Sequence, residues 1–253
     1  MPWCPQRGAS RVRTGRGARG EGLPLAHPAP GHSRPVGWLA WKGALSLLFG
    51  VSIETLIVGV PGLLVAIVFH EWAHAAVSTA LGDPTPARYG RLSFNPLAHI
   101  DWIGMIMLWV FHFGWARPVQ IDPRYYRNPR MGLLLVALAG PVMNVLLGFV
   151  FLLLLLHVPW GTGNLGHVFE QIVQLAVIYN VFFAVFNILP IPPLDGSRVL
   201  STVSEGGARL MAQIEPYGWI ILLLLVFTGV LTRTVLFPMA TWLLNALQAV
   251  ATI

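Results

Sequence analysis

Pro61-Gly-Leu-Leu-Val-Ala-Ile-Val-Phe-His70-Glu71-Trp-Ala-His74-Ala-Ala-Val-Ser-Thr-Ala-Leu81 places three ionisable side chains inside an apolar run long enough to cross a bilayer. On a helix, residues four apart share a face, so His70 and His74 can reach one point. Counted from Pro61, His70 lies about 13 Å and His74 about 20 Å along the axis. Ionisable groups at such depth are disfavoured by several kcal/mol unless paired or functional. The pattern HExxH supplies two imidazoles for one zinc ion, with Glu71 one position round, able to take the proton of an attacking water. The alternative is a structural polar cluster between helices.

The remainder of the chain agrees with a membrane setting. Hydrophobic residues make up 55% of the 253 residues and charged residues 10%, against about 25% charged in soluble domains. Six of the sixteen Lys and Arg precede residue 38, and Arg88, Arg91, Arg117, Arg124, Arg127 and Arg130 lie in two short loops. The net charge of +6 therefore fits cytoplasmic loops beside membrane spans. No basic, aromatic-interleaved face points to nucleic acid. The one cysteine, Cys4, is remote from any ligand cluster.

Residues 1–37 are rich in Arg, Gly and Pro and have no apolar periodicity, which reads as a disordered basic tail. It is either cytoplasmic or no part of the mature protein. Apolar stretches follow at 38–60, 61–81, 131–156, 169–189, 217–231 and 235–253. Pro61 is expected in a first helical turn. The stretch 101–115 spans only about 22 Å as a helix, short of a hydrocarbon core of about 30 Å. It is expected to re-enter, which leaves both arginine loops on one side. The expected fold is all-α and polytopic, with five to six transmembrane helices. A re-entrant element at 83–115, with room for β structure, follows the HExxH helix.

A third zinc ligand is needed if water is to hold the fourth position. Asp195, in Asn187-Ile-Leu-Pro-Ile-Pro-Pro-Leu-Asp195-Gly196, is the best candidate. Three prolines stop the helix there. Broken helix at membrane depth must be buried in protein or line a cavity, where its backbone could also pair with an extended substrate. An ordinary helix exit with Asp195 in a turn explains the stretch equally well.

HExxH on one span and Leu194-Asp195-Gly196 on a later one, with Asn187 eight positions before Asp195, resemble the site-2 protease family of intramembrane metalloproteases. Gly90-Arg-Leu-Ser-Phe-Asn-Pro-Leu-Ala-His-Ile-Asp101, Gly114-Trp-Ala-Arg-Pro-Val119, Tyr126-Arg-Asn-Pro-Arg130, Ala139-Gly-Pro-Val-Met-Asn144 and Pro193 to Leu200 look like its compact bacterial branch. The likeness covers residues 61 to about 231 and would make 38–253 one protease domain.

The resemblance implies His70, His74 and Asp195 as ligands of Zn2+ and Glu71 as general base. It implies Asn187 near the reacting carbonyl, as an oxyanion donor. It also implies transmembrane proteins as substrates and a multi-pass place in a bacterial cell membrane, with the basic loops and tail cytoplasmic. Asn144 contacts substrate or orients the core, or else serves helix packing. His99 is a gate or substrate contact, or an interfacial histidine bonded to backbone. His112 and His157 lie near span ends, and Trp102, Trp109 and Trp115 suit an aromatic belt. The chain departs from larger members in having no room for a PDZ insertion and no trailing CBS pair.

Two other classes use similar residues. A catalytically silent protein could hold membrane clients with the same site, and a metal or proton transporter could use buried His, Glu and Asp. Transporters often show inverted halves, and none is visible here.

Overall fold

The computed structural model describes residues 53–252 except 112, 113 and 162. The tail at 1–37, most of the span expected at 38–60, and His112 lie outside them, as does the side chain of Trp109. The described residues form helices and turns, with no strand among them.

Helix α1, Ile53–Ala80, carries the HExxH motif and runs straight through Pro61. Pro61 was expected in its first turn, and the difference has a physical reason. An interior proline forfeits one backbone hydrogen bond, whereas ending the helix would orphan several N–H and C=O groups in apolar surroundings.

Short helix α2, Thr85–Arg88, follows, and then a 3-10 turn at Pro96–Ala98 and helix α3, Trp102–Phe111. Ten helical residues reach only about 15 Å. The chain then doubles back. Ile100 and Ala116 form an isolated antiparallel bridge, and the Arg117 amide donates to the His99 carbonyl at 2.8 Å. Segment 100–116 thus leaves and returns at one point, and its β content is that single bridge. Gly104 permits the close return, since a Cβ there would lie 2.1 Å from the Trp115 carbonyl oxygen. Two aromatic contacts fasten the segment. The Phe94 ring packs against Phe69 and Trp72 of α1, with centroids 5.1 Å away in each case. Trp115 meets Trp219 edge-on at 5.4 Å.

After a 3-10 turn at Pro123–Tyr125, helix α4 runs from Pro129 to His157. The Asn128 side chain caps it by accepting from the Met131 amide at 3.2 Å. Helix α5, Asn164–Asn187, begins after a six-residue connection. It starts earlier than the apolar run at 169, because His167 and Glu170 can sit one turn apart on a helix face, 3.9 Å from each other. Helix α6 is Asp195–Val203, α7 Glu205–Ile214 and α8 Gly218–Phe227, with a 3-10 turn at Glu215–Tyr217; a π-type turn at Thr232–Leu236 leads into α9, Phe237–Ala251. Five stretches among the described residues are long and apolar enough to cross a membrane: Ile57–Ala80, Pro129–His157, Asn164–Asn187, Glu205–Phe227 and Thr232–Ala251.

Small residues let α1, α4 and α5 approach closely, as in other membrane helix pairs. A Cβ on Gly62 would stand 2.8 Å from the Ala176 Cα, and one on Gly148 would touch Val181 at 3.3 Å. Leu152, Ile178, Leu222, Leu236 and Leu244 are fully buried and tie α4 and α5 to the C-terminal helices.

Candidate metal centre

The ends of α1 and α4 are tied together just outside the apolar zone. Buried Asp83 accepts from Ser78 Oγ, the Asp122 amide and the Thr85 amide, each at 2.8 Å. Ser78 Oγ also bonds Tyr126 Oη at 2.7 Å, and the Tyr126 ring fills the space left by Gly132, where a Cβ would lie 2.4 Å away. Burial acts to raise the Asp83 pKa, but bonds from Thr85, the Asp122 amide and Ser78 outweigh it and hold the carboxyl below its usual range. This anchor sets the register in which α1 lies along α4.

In that register, His70 and His74 face α4. The polypeptide after α5 brings the third group. The Ile191 amide bonds the Leu189 carbonyl at 2.8 Å and the Leu194 amide bonds the Ile191 carbonyl at 2.9 Å, coiling 188–194 tightly. Gly196 is required there, since a Cβ would lie 2.1 Å from the Ile188 carbonyl oxygen. The coil delivers Asp195 to the first position of α6, buried beside the two histidines. His70 Nε2 and His74 Nε2 are 3.0 Å apart, and each lies within 3.2 Å of Asp195 Oδ2.

These atoms suit zinc by their chemistry. His74 Nδ1 donates to the Val136 carbonyl at 2.7 Å. A carbonyl can only accept, so the Nε2 lone pair of His74 points inward. His70 Nδ1 is held at 2.6 Å by Asn144 Oδ1. Two imidazole lone pairs and a carboxylate therefore converge, which is unfavourable without a cation among them. Donors about 2.0–2.1 Å from a tetrahedral zinc would lie roughly 3.3 Å from one another, close to the separations present. Gly140 of α4 makes the floor: a Cβ would stand 2.5 Å from His74 Nε2 and 2.6 Å from His70 Nε2.

Half-buried Glu71 follows His70 on α1 and is not among the converging donor atoms. Arg91 is 2% exposed and donates to the carbonyls of Ala98 and Arg117, holding both ends of the returning segment.

The other expected site residues are placed as follows. Asn144 is fully buried between α1, α4 and α5 and donates from Nδ2 to the Ala66 carbonyl and to Asn180 Oδ1, both at 3.0 Å. Asn187 is half-buried at the end of α5 and donates to the Phe183 carbonyl of its own helix at 3.1 Å, away from direct contact with the ligand atoms. His99 is fully buried, and its Nε2 donates to the Ser93 carbonyl at 2.7 Å. His157 ends α4, exposed, and Trp102 is 67% exposed. Gly140, Asn180 and the Asp83 anchor are not among the site residues expected from the sequence. Asn180 carried a usable signal, because an amide midway along an apolar span requires a partner.

Two histidines and an aspartate on apolar helices, with a glutamate next to the first histidine, form a donor set that could hold a metal ion, as a membrane-embedded metallopeptidase requires. The model of peptidase family M50 matches residues 162–229. YwhC of Bacillus subtilis, a candidate zinc metalloprotease by its name, is 40% identical over 183 residues, covering 70% of this chain and 83% of that protein. Rip2 of Mycolicibacterium smegmatis, named in the same way, is 28% identical over 204 residues, covering 78% of this chain and 77% of that one. No solved structure matches. The chain belongs to peptidase family M50, the site-2 protease family, and is a multi-pass intramembrane zinc metalloprotease.

Proposed function

We propose that His70, His74 and Asp195 hold the zinc ion and that Glu71 is the base for peptide-bond hydrolysis in transmembrane segments of other proteins. The observation that carries this is the convergence of three donor atoms within 3.2 Å, with the His74 lone pair turned inward by the Val136 carbonyl.

When bound, zinc supplies a Lewis acid that makes water nucleophilic at neutral pH. Glu71 takes the proton of the attacking water and passes it to the departing amide nitrogen. Asn187 turns from the Phe183 carbonyl towards the substrate oxygen, where such a donor is worth about 3 kcal/mol. Residues 188–194 offer irregular backbone against which an unwound substrate can lie. A transmembrane helix hides its carbonyls in its own hydrogen bonds, so local unwinding precedes attack.

Arg88, Arg117, Arg124, Arg127 and Arg130 are exposed, and the bridge at Ile100 and Ala116 gathers their loops at one end. By the positive-inside rule, that end faces the cytoplasm.

The test compares purified full-length wild type with Glu71→Gln, measuring zinc content and cleavage of labelled transmembrane peptides. Zinc in both with cleavage by wild type alone supports the assignment. A wild type without zinc removes the ligand assignment. Zinc in both with cleavage by neither favours the client-holding reading.

A further inference from the structure

Asn180 lies on α5 and makes no hydrogen bond to the three proposed ligands, yet it is fully buried in an apolar helix. Its contacts have a direction that can be read without seeing a hydrogen. Asn180 Nδ2 donates to the Ala176 carbonyl at 2.8 Å. A backbone carbonyl only accepts, so the NH2 end of Asn180 is fixed there and its Oδ1 faces Asn144. Asn144 Nδ2 lies 3.0 Å from that Oδ1 and 3.0 Å from the Ala66 carbonyl, so it faces two acceptors. The oxygen of Asn144 is thereby turned to His70, where it accepts from Nδ1 at 2.6 Å. Were Asn144 flipped, its oxygen would face two oxygens, and its NH2 would demand a lone pair from His70 Nδ1. The His70 proton would then sit on Nε2, among the ligand atoms.

We infer that Asn180 is a positioning residue for the metal centre: through Asn144 it fixes the tautomer of His70, so that Nε2 presents its lone pair to zinc. His74 achieves the same with one backbone carbonyl, whereas His70 relies on Asn144, whose amino group is held by the Ala66 carbonyl and Asn180 together. The relay also links α1 to α5, the helix whose end leads to Asp195. Outer-shell partners of metal-bound histidines commonly alter affinity by about 10- to 100-fold. The inference rests on the zinc-ligand reading above.

Asn180→Leu and Asn180→Met remove the acceptor with two different shapes. Asn180→Asp, as the neutral acid expected in so apolar a site, keeps an acceptor for Asn144 and a donor for Ala176. Zinc dissociation constants are measured by chelator competition on full-length protein, alongside visible spectra after cobalt substitution and melting of the metal-free protein. Zinc affinity about 10-fold weaker in the Leu or Met variant, with altered cobalt bands, unchanged metal-free melting and Asp within about 3-fold of wild type, supports the relay. Wild-type affinity and spectra in both the Leu and the Met variant overturn it while leaving the ligands intact. Equal weakening in all three overturns it as well, as does failure of both apolar variants to fold while Asp folds, since Asn180 then serves folding alone. A wild type that binds no zinc instead removes the ligand reading on which the relay stands.

Discussion

Gly140 lies so near His74 that a Cβ on it would stand 2.5 Å from Nε2. The floor of the proposed metal site is thus the bare backbone of α4. Gly140→Ala overpacks this point, at about 1–3 kcal/mol for a typical tight site. The expected result is zinc affinity lower by roughly 10- to 100-fold, with the helices still assembled. Metal analysis after dialysis against a weak chelator reads this directly, and full zinc occupancy would show that α4 can move aside.

Glu71 has no part in the triad of donor atoms. Glu71→Gln is therefore expected to keep zinc and lose about 10²–10⁴ in cleavage rate, the usual span for a general base. Single-turnover cleavage of a labelled transmembrane peptide would measure it. A loss of zinc in this variant would move Glu71 from base to ligand.

Asp83 predicts an acid limit to stability. Its carboxyl titrates below the ordinary value in the folded protein, so its contribution is complete above the unfolded pKa of about 3.9 and fades as pH falls below it. Asp83→Asn leaves the Asp122 and Thr85 amides with a poorer partner, at about 1–3 kcal/mol for buried donors. Melting in detergent from pH 7 down to 3 should show a lower midpoint for the variant at pH 7 and a narrowing gap on acidification. A constant gap would place the effect elsewhere.

Because the scissile carbonyl must leave its helix, transmembrane substrates carrying Gly, Pro or Asn are expected to be cut faster than poly-Leu segments, where interior Gly and Pro weaken a helix by about 1 and 3 kcal/mol. Equal rates across such a series would mean that unwinding does not limit cleavage.

Labelling tests the sidedness. In a Cys4→Ser background, single cysteines at Arg88 and Arg124 are expected to react with an impermeant reagent from the same face of sealed vesicles. Reaction from opposite faces would make 101–115 a true crossing.

Much of the centre could be read from local rules. Helical spacing joins His70 to His74, and three prolines end the helix before Asp195. Pro61 misled because a local preference for helix starts was outweighed by the need to keep backbone groups paired in apolar surroundings. The start of α5 at Asn164 was hidden by polar residues that pair on the helix face. Gly140 and Asn180 act only across helix interfaces, through a distance of closest approach and the direction of an amide. Neither quantity exists until α1, α4 and α5 are packed together.

With Ile100 paired to Ala116, the proposed topology keeps the loop 117–130 on the side where 83–99 lies. Had α3 been a crossing, Arg117, Arg124, Arg127 and Arg130 would lie on the side opposite Arg88 and Arg91, against the positive-inside rule. As the hairpin proposed here, the segment would leave all four on the side from which it entered. On that topology, seating the segment between α1 and α4 moves no arginine across the bilayer.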